Sequence, residues 1–333
     1  MKTRSFAAAL AVACAAFPAA ALPADTISAT HVFPASLIYA RSFLDYVKKA
    51  NDAGKGEFAI QVRGGPEAIG MMEQPGAVRS GVVDMVYTPC AFYAAVVPEC
   101  DALSASSIDG PTARKNGGTE LFNQIHQKRM GVYFLGWVDS GIRFSLWSTK
   151  EPKFDGSGHI DIKGFKVRGN PIYNAFLTNY LGAQVINLNS AELYTALERG
   201  TVDITAWTQI GAMDLNWDRY LKFRILPDFF STDLGILVNL KKWNALSPKT
   251  REILQRVAIE HETASLQALQ QLWKKEEAEL AKRGLKTVAQ SPEASKKFIA
   301  GARAASLQRM KERMEKAGGM ENYDKVVQLF TPD

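Results

Sequence analysis

Ile162 to Asp203 reads IKGFKVRGNPIYNAFLTNYLGAQVINLNSAELYTALERGTVD. Short apolar runs alternate there with helically spaced segments, which predicts strand, helix, strand, helix, strand, and so a parallel sheet with covering helices. Arg168 stands where the first strand ends, and Gly169-Asn170-Pro171 turns the chain. Ligands of open α/β sheets bind beyond the carboxyl ends of the strands, so an arginine at this point can hold a carboxylate with its guanidinium fork.

The same alternation fills the N-terminal part of the chain. Asp25–His31 reads as a strand, and Ala35–Ala50 places Leu37, Ala40, Phe43, Leu44 and Val47 on one helical stripe. Strand Phe58–Val62, short helix Glu73–Ser80 with Gly81 as its cap, and strand Val82–Tyr87 follow. A helix over Thr112–Lys128 and strands Val132–Trp137 and Ile142–Trp147 come next. Asp228–Val238 returns to this first unit, with Phe229 and Phe230 packing at the return. Ser247-Pro248 is a helix start, serine as N-cap and proline at the first helical position. The helical pattern then runs to Arg283 before Gly284. At 1.5 Å per residue this is roughly 54 Å, longer than one lobe is wide. One helix crossing both lobes and a helix broken near Thr263 both fit the pattern.

Met1-Lys2-Thr3-Arg4, the apolar alanine-rich run Phe6–Phe17 and the small residues that follow have the order of a secretory signal, too short to span a membrane. The expected division is a signal over 1–24, a first lobe from 25–147 plus 236–265, and a second from 148–235 plus 266–333. About 310 residues remain after the signal, enough for two lobes. The formal charge of +6 falls to +4 without Lys2 and Arg4. The surplus is interleaved with glutamate on C-terminal helices, so a nucleic-acid partner is not expected. Cys90 and Cys100 lie ten apart among prolines. In an oxidising compartment they fit a small disulfide loop, and equally two free thiols.

Catalytic patterns are missing from the sequence. It has no G-x-S-x-G, no phosphate-binding glycine loop and no H-E-x-x-H, and its four histidines, His31, His126, His159 and His261, stand far apart. No catalytic residue, metal ligand or cofactor is assigned. A secreted hydrolase or lyase would have to be built from residues distant in sequence.

Several segments in this order resemble the DctP-type periplasmic solute-binding proteins of TRAP (tripartite ATP-independent periplasmic) transporters. They are THVFP (Thr30–Pro34), GAVRSGVVDM (Gly76–Met85), GIRFSLWS (Gly141–Ser148), IKGFKVRGNP with SAELYTALERGTVD, and KKWNALSPKTREIL (Lys241–Leu254). The resemblance implies an α/β, two-lobe periplasmic-binding-protein-like fold with a hinge. It implies a receptor outside the cytoplasmic membrane that captures an organic acid and delivers it to TRAP membrane subunits. A ligand-sensing subunit of a signalling receptor would keep the same fold.

By the same resemblance Arg168 makes a bidentate ion pair with the ligand carboxylate, and Arg143 sits at the pocket edge. Trp207 resembles the tryptophan of the branch that binds 2-oxo acids. The preceding residue is Ala206 where that branch has a glutamate, sometimes a cation ligand, so a bound cation is not expected. Tyr87, Phe92 and Phe33 follow or end first-lobe strands and would face the same cleft. Such a pocket, apolar apart from its arginine, favours a monocarboxylate with an apolar or aromatic body.

Overall fold

A computed structural model describes residues 25–332 of the 333-residue chain, and the expected signal segment lies outside the described residues. The first lobe is built on strands β1 (Asp25–His31), β2 (Phe58–Gly64), β3 (Met85–Pro89), β4 (Val132–Trp137) and β12 (Leu234–Asn239), in the order β2-β1-β3-β12-β4. β1 runs parallel to β2 and β3, whereas the return strand β12 is antiparallel to both its neighbours. Helices α1 (Ile38–Ala53) and α2 (Gln74–Ser80) provide the crossovers. Gly81 ends α2 in the left-handed conformation (φ 82°), which glycine adopts without steric cost. Cys90 and Cys100 are joined by a disulfide. Three short helices follow: α3 (Asp101–Ser104), α4 (Gly110–Lys115) and α5 (Gly118–Met130). The single helix expected over Thr112–Lys128 is thus interrupted, because Gly117 takes a φ of 88° between α4 and α5.

The second lobe holds β5 (Phe144–Ser148), β8 (Val167–Gly169), β9 (Val185–Asn187), β10 (Ile204–Thr208), β11 (Phe223–Leu226) and β13 (Lys286–Ala289), in the order β13-β11-β5-β10-β8-β9. A small hairpin pairs β6 (Lys153–Phe154) with β7 (Ile160–Asp161). β8, β9 and β10 are parallel, as the strand–helix alternation predicts; β5 is antiparallel to both its neighbours. A π-helical turn, Phe176–Tyr180, stands between β8 and β9. Helix α6 (Ser190–Glu198) starts in a capping box: the Asn189 side chain accepts from the Ala191 and Glu192 N–H groups, and Glu192 accepts from the Asn189 N–H.

Two antiparallel passages connect the lobes, residues 138–143 outward and 227–233 back. They are stitched by backbone bonds Val138 N–H to Leu234 O (3.0 Å), Thr232 N–H to Ile142 O (3.0 Å) and Phe144 N–H to Phe230 O (2.8 Å). The outward passage therefore lies before residue 144. The expected boundary at 147 falls inside β5, which belongs to the second sheet. Asp139, in this passage, has a φ of 54°, unusual for a residue with a side chain. Its carboxylate accepts from Ser42 Oγ (2.6 Å) and from the Tyr87 hydroxyl, and its N–H donates to Ser265 Oγ (3.1 Å). These bonds pay for the strained backbone.

After the short helix α7 (Leu240–Ala245), helix α8 runs unbroken from Pro248 to Lys282, 35 residues, with Ser247 as its N-cap. A break at Thr263 is excluded. Glu262 ties α8 to the first lobe through Arg114 (2.7 and 2.8 Å) and the Trp137 N–H (3.1 Å). Glu276 ties it to the second by accepting from the Gly211 N–H (3.0 Å), and Trp273 packs 4.4 Å from the Arg224 guanidinium. Helix α9 (Pro292–Ala317) also touches both lobes. The last helix, α10 (Tyr323–Phe330), sits on the first, its Phe330 ring 4.7 Å from Phe122. Of residues 266–333, expected with the second lobe, α9 and α10 thus also bond or pack against the first.

Candidate ligand-binding site

Between the lobes lies a cavity lined from both sides. The second lobe contributes Phe144 from β5, Arg168 from β8, Asn170, Ile172 and Tyr173 from the turn after it, Ser190 from the start of α6, and Trp207 and Thr208 from β10. Phe33, Tyr39, Met71, Pro89 and Phe92 face them from the first lobe, with Thr232, Asp233 and Leu234 from the return passage. Most of this lining is aromatic or aliphatic; the single cation is Arg168.

Arg168 is fully buried. Its Nε donates to Leu188 O (3.0 Å), and its Nη1 donates to the Tyr173 hydroxyl (2.6 Å) and Thr205 Oγ1 (3.4 Å). The Trp207 and Tyr173 rings lie 5.9 and 6.0 Å from the guanidinium carbon. No carboxylate pairs with it among the described residues, and its Nη2 has no hydrogen-bond partner. Burial lowers its pKa from the ordinary arginine value, an effect opposed by Tyr173 and Glu192. A desolvated guanidinium lacking a counter-charge is unfavourable unless something anionic completes it. Two more buried donors are unsatisfied on the same cavity wall, Trp207 Nε1 and Ser190 Oγ. The site thus offers the free Nη2 of a cationic guanidinium and two neutral donors to a ligand rich in acceptors.

Residues 29–313 match the family model for bacterial extracellular solute-binding proteins, family 7 (DctP). The chain is a DctP-family solute receptor. It is 26% identical over 225 residues to the monocarboxylate 2-oxoacid-binding periplasmic protein of a Nostoc species, covering 64% of this chain and 59% of the relative. The match therefore spans less than two thirds of that relative's length. Among solved structures it resembles DctP7, a Bordetella pertussis extracytoplasmic solute receptor binding pyroglutamic acid (TM-score 0.75, 15% identity, 91% of this chain and 98% of that one). It also resembles a TRAP periplasmic solute-binding protein of Desulfovibrio salexigens with bound orotic acid (TM-score 0.77, 15% identity, 91% and 96%). At these identities the structures establish a shared two-lobe fold. Family and fold are those of solute receptors, not enzymes.

The receptor brings four of the six expected site residues to the cavity: Arg168, Trp207, Phe92 and Phe33. Arg143 is elsewhere. It lines a separate cleft with Asp228 and Arg303, where its Nη1 donates to Ser106 O (3.0 Å). Adjacent residues of an extended chain point to opposite sides, and Phe144 takes the cavity side. Tyr87 is fully buried in the first lobe, stacked on Phe43 with ring centroids 5.2 Å apart, and its hydroxyl serves Asp139 at the passage. Asn170, Tyr173 and Ser190 went unassigned, although their positions beside a strand end and at a helix start were a usable signal. Tyr39 and Asp233 left none, because only the meeting of the lobes brings them in.

Asp233 is buried, and its Oδ2 accepts from the Ala91 N–H (2.7 Å). Burial pushes its pKa up to about 7. The native state therefore keeps the proton over a range where the unfolded chain, near 3.8, has released it, and stability falls as pH rises from about 4 to about 7. We expect Asp233→Asn to stabilise the ligand-free receptor at pH 8 by roughly 2–4 kcal/mol, with the gain vanishing toward pH 4. Urea unfolding at the two pH values checks this; an equal effect at both would contradict it.

Proposed function

We propose that this receptor captures a small organic carboxylate in the interlobe cavity, outside the cytoplasmic membrane, and passes it to a TRAP permease. The observation that carries this reading is Arg168, a buried guanidinium with an unpartnered Nη2 and the single cation on the wall of a mostly apolar cavity. The ligand carboxylate pairs with Arg168, and its body packs among Phe33, Phe92, Phe144 and Trp207, which favours a monocarboxylate with an apolar or aromatic body. The 2-oxoacid, pyroglutamic acid and orotic acid named for the similar proteins are all of the required charge type. Walls drawn from both lobes support entry of the ligand while the lobes are apart and its enclosure when they meet.

A thermal-shift screen of organic acids tests the reading, because a ligand that binds only the folded state raises the melting temperature. Monocarboxylates with planar or apolar bodies should give the largest shifts; a screen in which neutral sugars shift the protein and no carboxylate does would overturn the reading. With the best acid bound, the radius of gyration from solution scattering should fall. Scattering curves identical with and without a tightly bound acid would rule out closure.

A further inference from the structure

Arg309, on α9, uses its whole guanidinium. Nε and Nη2 donate to the two carboxylate oxygens of Asp101 (2.9 and 2.8 Å), Nη1 donates to Pro171 O (2.8 Å), and Nη2 also donates to Ile172 O (3.2 Å). Asp101 belongs to the first lobe and is fully buried. It is held there by α9 itself, with Ser306 Oγ donating to its carbonyl (2.9 Å) and Arg313 at 3.2 Å from its carboxylate. Pro171 and Ile172 belong to the second lobe and lie on the turn that leaves Arg168. That turn supplies Asn170, Ile172 and Tyr173 to the cavity wall, and Tyr173 in turn accepts from Arg168. One side chain thus joins a buried first-lobe carboxylate to the backbone beside the proposed ligand anchor.

We infer that Arg309 is a positioning residue that fastens the ligand-site turn to the first lobe, so that its loss speeds ligand escape. The inference rests on the Arg168 reading above. Asp101 fixes the guanidinium, and the two carbonyls, which have no charge of their own to draw the lobes together, are caught only when the turn is in place. With ligand bound, such a fastening holds the turn against it, so its loss is felt in dissociation more than in encounter.

The test uses the mature receptor and Arg309→Lys, whose ammonium still neutralises Asp101 but lacks the planar fork needed to reach both partners. In ligand-free hydrogen exchange, the amides of 169–177 should exchange about tenfold faster in the variant, with β1 and β3 unchanged. With pyruvate and pyroglutamate as probes, stopped-flow dissociation should be about 10- to 100-fold faster and association within about twofold. The double variant Asp101→Asn with Arg309→Gln removes the ion pair without leaving either of its members as a lone buried charge and should show the same pattern if Arg309→Lys folds poorly. Unchanged exchange at 169–177, exchange raised evenly over both sheets, or slower association with unchanged dissociation would each overturn the inference. If the wild-type receptor binds neither probe but does bind another acid in the screen, that acid replaces them. If it binds no carboxylate at all, the Arg168 reading fails, while the exchange result still decides whether Arg309 holds the turn.

Discussion

Replacing Arg168 by methionine should abolish carboxylate binding and leave the ligand-free receptor folded and no less stable than the wild type. The side chain is fully buried, has no carboxylate partner among the described residues and leaves Nη2 without a bond. Methionine fills much of the same volume and removes a desolvated charge, a change that is commonly neutral or favourable to stability. Binding responds in the opposite way. A charge-assisted pair inside a dry cavity is worth several kcal/mol, so affinity should fall by more than about 100-fold, about 2.7 kcal/mol. Arg168→Lys should bind almost as poorly, because a shorter-reaching point charge cannot keep the bonds to Leu188 O and Tyr173 and still present the donors of Nη2 to a ligand. Calorimetric titration and thermal melts of the two variants measure both halves. Affinity retained within about threefold would remove Arg168 as the anchor.

The largest loss of stability is expected from Arg114→Ala. Glu262 has a side chain only 1% exposed and accepts two bonds from Arg114 and one from the Trp137 N–H, and this cluster seats α8 on the first lobe. Burial already raises the Glu262 pKa, and Arg114 opposes that rise. Without Arg114 a carboxylate would be left buried without its counter-charge, which costs about 3–5 kcal/mol. The raised pKa sets the sign of the pH dependence. The penalty should be full at neutral pH and shrink as pH falls toward the ordinary glutamate value, where both native and unfolded chains hold the proton. Denaturant unfolding at pH 7.5 and pH 4.5 checks this. A second variant, Arg114→Met with Glu262→Leu, should recover most of the loss, since two apolar groups replace the pair. Equal destabilisation at both pH values would mean that Arg114 acts through packing alone.

Local signals in this sequence carried far where one cause dominated. Ser247-Pro248 starts α8, Gly81 caps α2, and Arg168 closes a parallel strand, each because backbone geometry or strand direction leaves little choice. Legibility ended where a residue's role depends on which way a side chain turns or on what a distant segment brings. Arg143 and Phe144 are neighbours, and the motif around them does not say which faces the cavity; the register with Ser231 in the return passage does. Tyr87 ends up beneath α1 with its hydroxyl on Asp139, a residue 52 positions later. The boundary between lobes is hard to read from sequence for a related reason. Helices α8 and α9 each bond to both lobes, so no cut in the C-terminal sequence divides them cleanly.

The most direct measurement is a crystal structure of the receptor with the acid that gives the largest thermal shift. A ligand carboxylate oxygen is expected within about 3 Å of Arg168 Nη2, with the ligand's body against Trp207 and Phe92. A carboxylate held instead in the cleft of Arg143 and Arg303, or one in the interlobe cavity with its charged end turned away from Arg168, would contradict it.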